Sequence, residues 1–289
     1  MRALRAFVRL GRPHFLAGGF IGFGLGAAAA RFDGATLALA TYLWGQALVS
    51  AFHAMVHYAN EFYDRSGDVL ATRTTFSGGS GVLVAGELPA RVAIVAAAGF
   101  GAAGTALVAR AAIAGDGALA LVGAAIGISA WFYSAPPVRL LARGLGEADT
   151  MLVVGLLVPL AGYAACAHAL GPHALVAALP GMVAMLVMML CVEIPDIAAD
   201  AASGKRNLVV RWGVARALVV ARAACALAVA GLCFALIAAF GVTAPRALAL
   251  AGVAAAIGAT LTAARAPAWG VAFYAAIVLG GLAGIAASS

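Results

Sequence analysis

The chain has 289 residues, 65% of them hydrophobic and only 10% charged, with a mean hydropathy of +1.05. Soluble domains carry about 25% charged residues, and no soluble core could absorb so many apolar stretches of spanning length. Composition therefore excludes a water-soluble globule and predicts an all-α, polytopic membrane protein. The alternating segments of about ten residues that a membrane β-barrel needs are absent. The net charge of +7 comes from arginines scattered near the ends of apolar runs. With no basic stripe, nucleic acid is excluded as a partner and the cations are assigned to membrane topology.

The N-terminus carries Arg2, Arg5, Arg9 and Arg12 ahead of the apolar stretch from Phe15 to Ala30. That layout is also a signal peptide's, but the stretch is long for one and Pro13 suits a helix start. It is read as an uncleaved first span. Apolar runs and breakers predict about nine spans, at 13–31, 36–60, 91–113, 117–135, 149–169, 173–196, 214–240, 245–264 and 267–287. No linker separates them, so one domain is expected over residues 1–289. If the N-terminus is cytosolic, nearly all the cations fall on that side, and only Arg31, Arg110 and Arg246 fall on the other. This positive-inside bias places the chain in an inner or cell membrane with loops 61–90 and 197–213 in the cytosol. Cys166, Cys191, Cys225 and Cys233 lack paired spacing and lie in apolar runs, so they are read as buried thiols.

Chemistry concentrates in two acidic stripes. Glu61, Asp64 and Asp68 follow the uncharged run from Thr36 to Ala59, and Glu193, Asp196 and Asp200 repeat their spacing at the end of a later run. On a helix, positions i, i+3 and i+7 lie within roughly 60° of arc and span about 10 Å. Three like charges on one face repel unless a cation neutralises them. Oxygen-only donors favour a hard ion, and Mg²⁺ takes one or two carboxylates and completes its shell with water and phosphate. The alternative is a set of helix-end acids facing water.

The first stripe, in Asn60-Glu61-Phe62-Tyr63-Asp64-Arg65-Ser66-Gly67-Asp68, resembles the NDxxDxxxD motif of the UbiA superfamily of membrane prenyltransferases. The second, with Gly204-Lys205-Arg206 and the residues to Gly213, resembles its DxxxD motif and GKxxLxVxxG loop. The segment from Tyr133 to Leu140, followed by Arg143-Gly144-Leu145-Gly146-Glu147, is similar to YSxPPxRLKxRGLGE. The IPDxxxD form is most like the branch that makes quinones, including 1,4-dihydroxy-2-naphthoate prenyltransferases. Glu61 stands where Asp is usual, and Leu141 where lysine is common.

The resemblance implies a bundle with a central cavity open to the cytosol. It implies transfer of a prenyl group from a polyprenyl diphosphate to an aromatic small molecule, with Mg²⁺ as cofactor. Asn60, Glu61, Asp64, Asp68, Glu193, Asp196 and Asp200 are the expected metal ligands. Arg12, Asn60, Arg139, Arg143, Lys205 and Arg206 are expected to meet substrate, although Arg12, Arg139 and Arg143 also read as topology arginines. Asp64, Asp196 and Tyr133 are expected to carry catalysis. Tyr133 also belongs to a group of rings, with Tyr58, Phe62, Tyr63, Trp131 and Phe132, that reads as an interfacial belt.

Three further features lie nearby. Ser77-Gly78-Gly79-Ser80-Gly81 reads as a flexible turn. Pro195 is expected to bend the sixth span. His53 and His57 share the face of Asn60 and read as packing or acceptor-binding residues rather than metal ligands. Two other activities remain open: a UbiA-type terpene cyclase, and an ion-coupled secondary transporter in which the acids hold the coupling ion.

Overall fold

The computed structural model describes residues 1–288, and among these the regular structure is helical with no strand. The chain begins with a short helix, α1 (Arg2–Leu10), that the sequence reading did not assign. Its signal was the spacing of Ala3, Ala6, Phe7 and Leu10. Ala6 and Leu10 are buried while Arg2, Arg5 and Arg9 face out, the pattern of a helix lying at an interface. Then follow α2 (Pro13–Phe32), α3 (Leu39–Asp68), α4 (Ala90–Ile113), α5 (Gly117–Phe132), α6 (Gly146–Leu152), α7 (Val158–Ala167) and α8 (Pro172–Glu193). The chain closes with α9 (Ile197–Ala202), α10 (Leu208–Phe234), α11 (Ala244–Ala259) and α12 (Ala266–Ala286).

Among the described residues, six helical stretches are long and apolar enough to cross a membrane: Pro13–Phe32, Ala90–Ile113, Gly146–Ala167, Pro172–Ala202, Leu208–Ala239 and Ala263–Ala286. The protein is thus an integral, multi-pass membrane protein. α5 and α11 are shorter apolar helices, and α3 is long but carries Gln46, His53 and His57 within its apolar run.

Departures from regular helix have local causes. The expected span 149–169 is interrupted by a π-helical turn, Val153–Leu157, just before Pro159. Proline has no N–H and its ring displaces the carbonyl four residues back, and the wider turn absorbs both. Pro195 produces a 3₁₀ turn, Ile194–Asp196, so the second acidic stripe runs from the end of α8 through this turn into α9. Gly213 (φ 76°, ψ 160°) bends α10 where the sequence places the start of its span.

α2, α3, α5, the α6–α7 segment, α8 and α12 surround a central cavity of about 290 Å³. α4 packs on α3 and α5, and α10 and α11 pack outside α8 and α12. Small residues let the ring close. A Cβ on Gly26 of α2 would lie 1.7 Å from the Pro159 carbonyl oxygen, and one on Gly162 of α7 would lie 2.0 Å from that of Phe23. The two backbones are in direct contact, as small residues allow between helices in lipid. At the end opposite the acidic stripes, Asp33 accepts from Tyr163 at 2.6 Å and pairs with His173 at 2.6 Å. Asp116 caps α5 and pairs with His168. Cys166, Cys191 and Cys225 are buried, and Cys233 is half-buried.

Candidate active site

α3 continues unbroken past its apolar run to Asp68, so the first stripe is a single helical face. Asn60, Asp64 and Asp68 border the cavity from α3, and Glu193, Asp196 and Asp200 border it from the α8–α9 side. The two stripes therefore face one space at one end of the bundle. Lys205 joins them: its Nζ lies 2.9 Å from Asp64 Oδ2 and 3.1 Å from Asp200 Oδ1. Burial works to lower the Lys205 pKa, but Asp64 and Asp200 outweigh it and hold the ammonium charged above its ordinary range. Asn207 caps α10 and donates 2.7 Å to the other Asp200 oxygen. Asn60 donates to Asp64 at 2.9 Å and Ser134 at 3.1 Å, tying α3 to the segment after α5.

The loop after α3 lies across this end of the cavity. Gly78 N–H donates 2.9 Å to Asp196, while Ser80 donates through N–H (2.7 Å) and hydroxyl (2.6 Å) to Glu61. The loop thus bonds to both stripes, which corrects the reading of residues 77–81 as a flexible turn. Gly79 suits this position by its backbone and by its lack of a side chain beside Asp68. Its φ is +70°, and a Cβ there would lie 2.3 Å from Asp68 Oδ2.

Glu61 is only 2% exposed and does not border the cavity. Its Oε1 accepts from Ser80 N–H and from Arg12 Nε at 2.7 Å, with a second Arg12 nitrogen at 2.5 Å. Two charge-assisted hydrogen bonds and an ion pair on one oxygen make it an anchor for Arg12 and the loop, which sets it apart from the carboxylates that border the cavity and from its expected place among the ligands. The same pairing holds Arg12 at φ 45°, a left-handed conformation costly for a residue with a Cβ. Arg12 itself borders the cavity, as do Lys205 and Tyr133. Arg139, Arg143 and Arg206 do not: all three are exposed, and Arg143 donates to the Pro137 carbonyl. Their chain segments turn outward, so sequence proximity to the motifs did not bring their charges to the cavity.

Among the described residues, no three acids converge into a ready-made metal cluster. The donor chemistry still fits a hard cation. Asp196 Oδ1 is buried without a hydrogen-bond partner, and the buried Glu193 carboxyl lies beside those of Glu147 and Asp200, a crowding of oxygens that is costly unless a proton or a cation meets it. Mg²⁺ needs only one or two protein carboxylates when water and phosphate complete its shell. Glu147, the last residue of the RGLGE-like segment, carries no signal of its own role in the sequence. It is buried, accepts from Leu208 N–H, and so ties the start of α6 to that of α10. At the end of the first stripe, burial raises the Asp68 carboxyl to about 7, with Arg12 and Lys205 opposing and Glu61 and Asp64 adding to the shift.

The profile of the UbiA prenyltransferase family matches residues 16–268. No curated protein sequence matches the chain. Among solved structures, a UbiA homolog from Archaeoglobus fulgidus bound to GPP and Mg²⁺ is 21% identical, with a TM-score of 0.69 over 97% of this chain and 99% of that one. A digeranylgeranylglyceryl phosphate synthase is 16% identical, with a TM-score of 0.68 over 99% and 100%. A UbiA homolog from Aeropyrum pernix K1 is 19% identical, with a TM-score of 0.65 over 94% and 97%. At these identities the structures speak for the fold, and the profile, spanning most of the sequence, for descent: the chain belongs to the UbiA prenyltransferase family.

Proposed function

We propose that this protein transfers a prenyl group from a polyprenyl diphosphate to an aromatic acceptor of the quinone-precursor class, with Mg²⁺, releasing pyrophosphate. The observation that carries the reading is the pair of acidic segments facing one cavity, joined by Lys205 and covered by a loop bonded to both. In this reading the chain is a single domain of nine spans with its N-terminus and acidic end in the cytosol. The neighbour bound to GPP and Mg²⁺ supports both the donor class and the ion.

Asp64, Asp68, Asp196, Asp200 and Glu193 would hold Mg²⁺, with Asn60 beside them. When bound, the ion supplies positive charge to the diphosphate oxygens as the allylic C–O bond breaks. Lys205 and Arg12 border the same space and stabilise the departing pyrophosphate. Tyr133 presents a ring at the cavity edge, where it faces the allylic cation. Gly78, Gly79 and Ser77 cover the site and keep water from that cation.

The test is pyrophosphate release by purified protein supplied with Mg²⁺ and allylic diphosphates of graded length. Release that depends on an aromatic acceptor supports transfer. Release without one points to cyclisation, and none with any donor overturns the reading. Asp64→Asn and Asp196→Asn should each lower turnover by on the order of a hundredfold in folded protein. Near-normal turnover at saturating Mg²⁺ would remove that residue from the site.

A further inference from the structure

Inward from the acids, the cavity holds polar groups that a prenyl diphosphate would not use. His57 lies one turn before Asn60 on α3, about 4.5 Å further into the bundle. Its ring stacks between Phe15 (centroids 5.6 Å apart) and His53 (5.0 Å), and all three border the cavity. His57 keeps part of its ring on the cavity surface, while its Nε2 is buried without a hydrogen-bond partner. From α12, Tyr274 borders the same cavity. It is 3% exposed, and its hydroxyl has no partner either. α2 runs beside both and makes room with glycine. A Cβ on Gly19 would lie 2.8 Å from His53 Nδ1, and one on Gly22 3.7 Å from the Tyr274 hydroxyl.

Unpartnered polar atoms inside a membrane bundle are costly, because lipid offers no water to satisfy them. The donor cannot satisfy them, since its tail is hydrocarbon and its diphosphate belongs with the cations at the acidic end. We infer that His57 and Tyr274 form the acceptor subsite, and that they recognise a planar aromatic ring bearing hydroxyl or carboxyl groups. The ring lies against the Phe15–His57–His53 stack, and its polar substituents bond to His57 Nε2 and the Tyr274 hydroxyl. This rests on the transfer reading above and deepens it: flat rings choose the ligand's shape, and the two orphan atoms choose its substituents.

The test uses full-length protein with geranyl diphosphate as donor, and 1,4-dihydroxy-2-naphthoate and 4-hydroxybenzoate as acceptor probes. His57→Phe keeps the ring stack and removes the nitrogen, and Tyr274→Phe removes one oxygen. Each should raise the acceptor KM at least tenfold while the donor KM stays within twofold. His57→Gln returns a nitrogen near the same place and should recover part of the loss, which a packing role would not allow. If acceptor KM stays within twofold in folded variants, or donor KM moves as far as acceptor KM, the subsite is refuted. Should His57→Phe fail to fold, Tyr274→Phe decides alone. Wild-type protein that releases no pyrophosphate with any donor sinks the transfer reading. Wild-type turnover with unmoved variants sinks only this subsite.

Discussion

Replacing Lys205 with Met tests how the two acidic stripes are held together. The Lys205 side chain is 15% exposed, and it lies within 3.1 Å of one carboxylate from each stripe. Removing one partner of a buried ion pair costs about 3–5 kcal/mol, because the other charge stays buried and uncompensated. Here two carboxylates lose the same cation, but residual exposure favours the low end, about 3 kcal/mol. Mg²⁺ can replace that charge. An ion at a hundred times its Kd adds about 2.7 kcal/mol to the folded state. The variant should therefore be markedly less stable than wild type in chelator, and most of that gap should close in saturating Mg²⁺. The ammonium no longer competes for Asp64 and Asp200, so the variant should also bind Mg²⁺ more tightly while its KM for the donor rises. Denaturant unfolding in detergent, followed by tryptophan fluorescence with and without Mg²⁺, reads both effects. Equal stability in chelator, or a gap that Mg²⁺ leaves unchanged, refutes the reasoning.

Gly79→Ala should cost about 1–2 kcal/mol in loop closure from its φ alone, with the clash against Asp68 added. Turnover should fall about tenfold or more while bundle unfolding is unchanged; a normal rate would show that the loop does not cover the working site. Asp68, raised to about 7 chiefly by burial, is half protonated near neutrality. Because a proton and a cation compete for it, Mg²⁺ binding should strengthen as pH rises from 6 to 8, with proton release detectable by calorimetry in buffers of different ionisation enthalpy. A Kd flat across that range would exclude Asp68 as a ligand. Alanine at Arg139, Arg143 or Arg206 should leave the donor KM within twofold, since these side chains lie outside the cavity; a tenfold rise at any of them would return it to the site.

Six of the nine expected spans match helices long and apolar enough to cross a membrane, because hydropathy over twenty residues is a strong local signal, and the bend at Gly213 falls at the start of its apolar run. α1 escaped because nine residues with three arginines give no spanning signal, and only its spacing marks it. In the site, periodicity revealed both stripes and their common end. It could not separate Glu61 from Asp64, although they differ by less than one turn. Glu61 turns toward Arg12 and Ser80, and Asp64 toward the cavity. That choice is set by a loop some nineteen residues away in sequence. The same non-local contact gives Ser77–Gly81 its place, which composition alone reads as a loose turn. Arg139, Arg143 and Arg206 show the converse: adjacency to a motif says nothing of which way a side chain leaves the backbone.

The crossing of α2 and α7 bears on how, in the transfer reading, a prenyl donor reaches the interior. At Gly26 and Gly162 no side chain lies between the two helices, so nothing there can swing aside to make a doorway. Rods welded backbone to backbone move as a pair. In the transfer reading, the gap that admits a prenyl donor forms along another edge of the ring, and crosslinking this seam should leave uptake untouched.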